Sequence, residues 1–269
     1  MCLWGMPMLT WSEAGDIARA LGMDGVDVGS IGAGEAVRRR ILDTPLQVAA
    51  ELRDLDLPIA NFFYFFGADL RVDRNLADPS SHAVNLADLA RVLRLCEAAE
   101  VPTLTLSPGI VNPGQTHADA VKASAAFLSR AVDLAAGSGV TIVTEPGVQS
   151  IAESPAATEA LLARAPGLGL VLDYSHFICL GYTQEEIDVL QPHATHVHLR
   201  QARPGRLQER LESWSGTINF RLLCSQLRER GYDGWFATEI GEALEERVDV
   251  IGETVRLRDL VRSYLGVSR

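Results

Sequence analysis

The sequence predicts an α/β fold, a single (β/α)8 barrel over residues 1–269, and three observations carry that prediction. Eight short apolar runs alternate with helix-period stretches almost from the first residue. A helix–glycine–turn–strand unit near the start, ending in Val26-Asp-Val28, recurs near the far end, where it leads into Trp235-Phe-Ala-Thr-Glu239. Such a repetition marks a βα module. Finally, the first run, Leu3-Trp-Gly-Met-Pro-Met8, offers no glycine-rich phosphate loop, which an open doubly wound sheet normally places after its first strand.

The eight predicted strands are 2–6, 25–29, 58–63, 102–107, 140–145, 169–173, 195–200 and 235–240. Thr10-Trp-Ser-Glu13 reads as a capping box, Ala14, Ile17, Ala18 and Leu21 follow at helical spacing, and Gly22 supplies the stop. Asp24-Gly25 then turns the chain into the second strand. Leu86, Leu89, Ala90 and Leu93 make one helical stripe, and Val121, Ala125, Leu128, Val132 and Ala135 another. Leu222, Leu223 and Leu227 line a later helix that ends at Gly231, before Asp233-Gly234 turns into the eighth strand. No long linker, charge block or low-complexity segment divides the chain, so one domain is expected.

Composition narrows the function classes. The net charge of −11 and a pI near 5.0 disfavour a nucleic-acid partner. No run of about 18 apolar residues exists, so no membrane span is expected. Met1–Thr10 lacks the basic and long apolar regions of a signal peptide and reads as a core strand. Cys2, Cys96, Cys179 and Cys224 are scattered without a CxxC pair, which suggests buried thiols in a reducing, cytoplasmic setting.

Functional residues of such a barrel sit at the C-terminal ends of its strands. Each of the last four predicted strands ends in a ligand-type residue. The fifth ends Thr144-Glu145-Pro-Gly, and Pro146 biases Glu145 toward extended geometry. The sixth ends Leu172-Asp173-Tyr-Ser-His176, the seventh reads His196-Val-His198-Leu-Arg200-Gln, and the eighth ends Thr238-Glu239. Singly, a carboxylate there is more often a helix cap or an ion-pair member, and a lone strand histidine is more often structural. Jointly, three carboxylates at one mouth repel unless a cation neutralises them. His196 and His198 face the same side of their strand, and His198 lies nearer the mouth, so His198 is the expected ligand and His196 lies one layer deeper. Glu145, Asp173, His198 and Glu239 thus form an oxygen-rich set suited to one divalent ion, Mn2+ first, with Co2+, Mg2+ or Zn2+ as alternatives.

On Glu145-Pro, Asp173-Tyr-Ser-His176, His196-Val-His198 and Glu239, the chain resembles the xylose isomerase-like TIM barrel superfamily over essentially its whole length. It is similar in particular to the ketose 3-epimerase branch. The resemblance implies that these four residues bind the metal and that Glu145 and Glu239 also serve as the acid/base pair. It implies that His176 contacts substrate, together with an arginine after the seventh strand, Arg203 or the competing Arg200. The substrate is then a small carbohydrate or cyclitol, and a homo-oligomer is expected because relatives often dimerise or tetramerise. The chain departs from the branch in Pro146-Gly-Val-Gln-Ser-Ile, which carries no acid before Glu153.

The implied chemistry is proton abstraction next to a carbonyl through a metal-stabilised enediolate, giving a sugar isomerase or epimerase. Loss of a β-substituent after the same step gives a dehydratase or lyase on a keto-cyclitol or oxidised glycoside. A phosphodiesterase of the endonuclease IV type is the distant alternative, disfavoured by the acidic charge and only six histidines. Arg200, Arg203 and Arg206 keep a phosphate site open after the seventh strand, whereas the acids of Ile240-Gly-Glu-Ala-Leu-Glu-Glu oppose one after the eighth. The aromatics Trp4, Phe62, Phe63, Tyr64, Phe65 and Phe66 are read mainly as core, with some left as walls of a substrate pocket on which a sugar face stacks, and His82, His117 and His193 are read as solvated.

Overall fold

The computed structural model describes residues 1–31, 34–67, 73–212, 215–241 and 248–267. In chain order they form α1 (Trp11–Ala20), β1 (Val26–Gly29), α2 (Glu35–Asp43), α3 (Pro45–Arg53), β2 (Ile59–Tyr64), α4 (His82–Ala98), β3 (Thr103–Leu106), α5 (His117–Ala135), β4 (Thr141–Thr144) and α6 (Pro155–Leu162). There follow β5 (Gly169–Asp173), α7 (Tyr174–Cys179), α8 (Gln184–Ile187), β6 (Ala194–Leu199), β7 (Gln201–Arg203), β8 (Arg206–Glu209), α9 (Phe220–Glu229), β9 (Trp235–Thr238) and α10 (Val250–Leu265). The capping box at Thr10 is present in full: its side chain accepts from the Glu13 N–H, and the Glu13 carboxylate accepts from the Thr10 N–H.

Seven parallel strands, ordered β1-β2-β3-β4-β5-β6-β9, wrap into a TIM barrel. The eighth position corrects the sequence reading. The predicted strand 2–6 is instead a single parallel bridge, Cys2 to Asp27, followed by a 3-10 turn over Leu3–Gly5. Proline at position 7 has no N–H to give a ladder, and Gly5 lies so close to the Ile240 carbonyl that a β-carbon would stand 2.2 Å from its oxygen. The Cys2 N–H still donates to the Thr238 carbonyl (3.0 Å), and the Asp27 N–H to the Met1 carbonyl (2.8 Å), so two residues of chain close the seam between β9 and β1. A cavity of about 190 Å3 adjoins that seam, lined by Met1, Gly25, Trp235, Thr238, Val261 and Arg262 among others.

Four of the seven barrel strands, β1, β2, β3 and β5, are buried along their whole length, as expected when helices cover the outside of a parallel sheet. The inside of this barrel departs from the usual filling of branched apolar side chains. Asp27, Asn61, Thr105 and His196, each fully buried, make a polar layer: Asn61 accepts from the Thr105 hydroxyl at 2.8 Å, and His196 Nε2 lies 2.7 Å from Asp27 Oδ2. Phe62, Phe63, Tyr64 and Phe66 are core as predicted, while Phe65 is half-buried and stacks on Phe63. His82 corrects its reading as solvated. It is buried, with Nε2 2.8 Å from the Leu76 carbonyl and its ring against Phe127. All four cysteines are thiols without disulfides, and Cys2, Cys96 and Cys224 are buried. No helix among the described residues is long and apolar enough to cross a membrane. The acids at 242, 245 and 246, read above as opposing a phosphate, lie outside the described residues.

Candidate metal centre

Parallel strands bring their C-terminal ends to one rim, and four side chains meet there. Glu145 directly follows β4, Asp173 ends β5, His198 lies in β6, and Glu239 directly follows β9. One ligand atom from each of the four lies within 4.8 Å of the others. His198 Nδ1 stands 2.7 Å from Glu145 Oε1 and 3.2 Å from Glu239 Oε2. The β5–β6 register pairs Asp173 with His198 side by side. Asp173 also caps α7, accepting from the Ser175 N–H at 2.8 Å. The ordinary role of a strand-end carboxylate and the candidate ligand role thus coincide in one residue.

Three further residues set the geometry, and the sequence reading foresaw none of their contacts with the cluster. Asp27 Oδ2 lies 3.0 Å from His198 Nε2, which fixes the far side of the imidazole. The signal was in the sequence: a lone acid inside the apolar run Val26-Asp-Val28. Trp4 donates its indole N–H to Glu239 Oε1 at 3.0 Å, a contact that depends on the 3-10 turn replacing the first strand. Ser175 Oγ accepts from Arg200 Nε at 2.7 Å.

Of the two arginines after β6, the fold brings one to the cluster. Arg200, like His196 and His198, projects inward by strand alternation. Its Nη2 lies 2.7 Å from Asp173 Oδ2, 3.0 Å from Glu239 Oε2 and 3.1 Å from His176 Nε2. Arg203 sits on the antiparallel β7–β8 hairpin, where its Nε donates to Glu209 at 2.8 Å. His176 stands at the rim on α7, 3.8 Å from Asp173 Oδ2. Its Nδ1 lies 3.3 Å from the Val148 N–H, and Gly147 is pressed so close that a β-carbon there would meet the ring at 2.5 Å. A neutral imidazole accepts at one nitrogen only, and the charge-assisted bond from Arg200 is the stronger of the two.

Burial favours neutral carboxyls, yet the charges of Arg200 and His198 and the Trp4 hydrogen bond hold Glu239 well below the usual carboxylate range. Burial likewise opposes charge on Asp27, and its two histidine partners outweigh it, leaving that acid ionised. His198 is held well above the usual imidazole value against burial, by the carboxylates of Glu145 and Glu239 and the bond to Asp27. The Cys2 thiol is pushed up to about 12, chiefly by burial.

The donors fit a divalent ion. With Asp27 accepting from Nε2–H, His198 Nδ1 turns its lone pair toward the carboxylate of Glu145, 2.7 Å away, a meeting of acceptors that only a proton or a cation relieves. Glu239 Oε2 is buried and accepts no hydrogen bond, although Nη2 of Arg200 is near. Three carboxylates against one guanidinium leave two negative charges, the charge of one such ion.

Sequence comparison then places the fold. The family described as xylose isomerase-like TIM barrel matches residues 16–259. The chain belongs to that family. This xylose isomerase-like barrel finds no match among curated proteins. It is similar in structure to D-psicose 3-epimerase from Clostridium cellulolyticum H10, solved with D-tagatose (TM-score 0.74, 13% identity, covering 96% of this chain and 94% of that one). It is also similar to 3-keto-D-glucoside 4-epimerase from E. coli in its apo form (TM-score 0.65, 16% identity, 95% and 92% covered). A third similar structure is a xylose isomerase-like TIM barrel protein from Mycobacterium smegmatis in complex with magnesium (TM-score 0.69, 17% identity, 96% and 89% covered). At these identities the structural likeness speaks for the barrel itself.

The placement of His176 gives a first expected outcome. His176→Ala should leave metal content and Tm nearly unchanged while lowering turnover by about 10-fold or more. Elemental analysis, a melting curve and steady-state kinetics on the same preparation check it. A large fall in Tm with undiminished turnover per folded molecule assigns the ring to structure.

Proposed function

We propose that the chain is a divalent-metal-dependent isomerase or epimerase of an uncharged keto-sugar, a single-domain enzyme that labilises the proton next to a carbonyl. The observation that carries this reading is the convergence of Glu145, Asp173, His198 and Glu239 on one point, with Asp27 and Trp4 fixing two of them from behind. A bound divalent ion, Mn2+ first among the candidates, supplies Lewis-acid stabilisation to adjacent carbonyl and hydroxyl oxygens.

The chain's own residues do the rest. Glu145 and Glu239 come from strands three places apart around the barrel and reach the same imidazole nitrogen, so a sugar carbon beside that point has a carboxylate from each. One removes the proton and the other returns it at the same carbon for epimerisation or at its neighbour for an aldose–ketose shift. Asp27 holds His198 in one tautomer, and Trp4 restricts Glu239 to one orientation. His176 and Arg200 present polar atoms to substrate oxygens at the rim. Trp4, half-buried and backed by the Phe63 ring, offers apolar surface on which a sugar face packs. A dehydratase or lyase outcome shares the first step and differs in the fate of the β-substituent. Homologous barrels act on small carbohydrates, as the names of the two epimerases above state, which supports the sugar reading.

Protein purified without chelator should carry about one divalent ion per chain, and Glu145→Gln, Asp173→Asn or His198→Ala should each lower that content. Elemental analysis and titration with Mn2+ measure it. A wild-type chain that takes up no ion after soaking, yet turns over its substrate, contradicts the reading.

A further inference from the structure

We propose that Arg200 is a resident cation of the ligand shell: it holds the shell together when no ion is bound and sets how tightly an ion binds. The inference rests on the divalent-metal reading above and concerns the guanidinium that stands inside that shell.

Arg200 is 8% exposed, and the hydrogen-bond and ion-pair partners of its guanidinium, Ser175, Asp173, His176 and Glu239, belong to the site. Nε is tied to Ser175 Oγ at 2.7 Å, which fixes the plane of the head group. Nη2 then reaches Asp173 Oδ2 at 2.7 Å and Glu239 Oε2 at 3.0 Å, carboxylate oxygens of two of the four candidate ligands. Asp173 and Glu239 come from strands on opposite flanks of β6. One guanidinium therefore clamps together acids that would otherwise repel across the rim. Bringing three carboxylates to one buried point without a cation is costly, and Arg200 lowers that cost before any ion arrives.

The same charge has a second consequence. Asp173 and Glu239, as ligands of a divalent ion, would hold it with carboxylates that now lie against Nη2, close to a fixed positive charge. Like charges at such a distance oppose one another, so the guanidinium weakens ion binding even as it preorganises the ligands.

Two variants test the proposal: Arg200→Met, which keeps much of the apolar stem and removes the charge, and Arg200→Lys, which keeps the charge without the planar fork. Each is stripped with chelator, melted, and titrated with Mn2+ by calorimetry. Arg200→Met should melt lower than wild type when metal-free and bind Mn2+ about 10-fold or more tightly, with Arg200→Lys between them in both readouts. Added Mn2+ should raise the Tm of Arg200→Met by more than it raises that of wild type. Equal or weaker Mn2+ binding by a folded Arg200→Met overturns the proposal and leaves the metal reading standing. An Arg200→Met chain too unstable to titrate leaves Arg200→Lys to decide, where binding no tighter than wild type overturns it. Absence of Mn2+ binding in wild type and both variants overturns the metal reading and this proposal together.

Discussion

Glu145→Gln and Glu239→Gln should each lower turnover by about 10²–10⁴-fold, the usual contribution of a positioned general acid or base. Each amide keeps the shape and size of its carboxylate, so the backbone after β4 and β9 has no reason to move. Each substitution also removes a negative charge from the candidate ligand set, and weakened ion binding would imitate lost acid–base function. The two effects separate on measurement of kcat at saturating Mn2+ with metal content determined on the same sample. A deficit that persists at full occupancy belongs to proton transfer, and one that vanishes belongs to metal holding. Glu239 carries the additional Trp4 hydrogen bond, which an amide oxygen can still accept, so that contact is preserved in the variant. Near wild-type turnover by either variant at full occupancy removes that residue from the acid/base pair.

The largest expected loss of stability lies below the rim. Asp27 is fully buried, and its Oδ2 faces His196 at 2.7 Å and His198 at 3.0 Å. Asp27→Ala strips a buried charge from two buried imidazoles, and such a break typically costs about 3–5 kcal/mol. Denaturant unfolding should show that loss as a lower midpoint at unchanged slope. The milder Asp27→Asn retains an acceptor for one imidazole, and loss of such a supporting partner typically weakens metal binding by about 10–100-fold. A stable Asp27→Ala chain with undiminished Mn2+ affinity means that Asp27 neither supports the barrel floor nor orients His198.

Much of this was legible in the sequence because it rests on periodicities of short range. The capping box at Thr10, the alternation of strand and helix, and the placement of Glu145, Asp173, His198 and Glu239 at strand ends follow from patterns a few residues long. Arg200 was legible too, since His196, His198 and Arg200 alternate, and strand alternation turns all three inward. The resemblance put Arg203 first and Arg200 second, because a strand continuing straight gives no sign of the β7–β8 hairpin in which Arg203 meets Glu209.

Other features depend on contacts far apart in sequence. Trp4 and Glu239 are separated by 235 residues, and Asp27 and His198 by 171. Nothing local to Asp27 distinguishes a buried partner of two histidines from a solvated acid, except that both its neighbours in β1 are valine. The missing first strand was misread because Met1–Met8 is apolar enough for a strand, while Pro7 and the close approach of Gly5 to Ile240 decide otherwise. His82 was misread because a histidine at a helix start is usually wet, and here the Leu76 carbonyl and the Phe127 ring enclose it.

The central claim is that Glu145 and Glu239 labilise a proton next to a carbonyl beside a divalent ion. Incubation of the Mn2+-loaded chain with a panel of free and phosphorylated ketoses and keto-glycosides in deuterated water, followed by NMR, tests it directly. Deuterium should enter at the carbon next to the carbonyl of an unphosphorylated member, with an epimer or an aldose–ketose isomer appearing, and no exchange should occur in the metal-stripped protein or in Glu145→Gln. Turnover of a true substrate by hydride transfer or phosphodiester hydrolysis, with that carbon keeping its proton throughout, would contradict it.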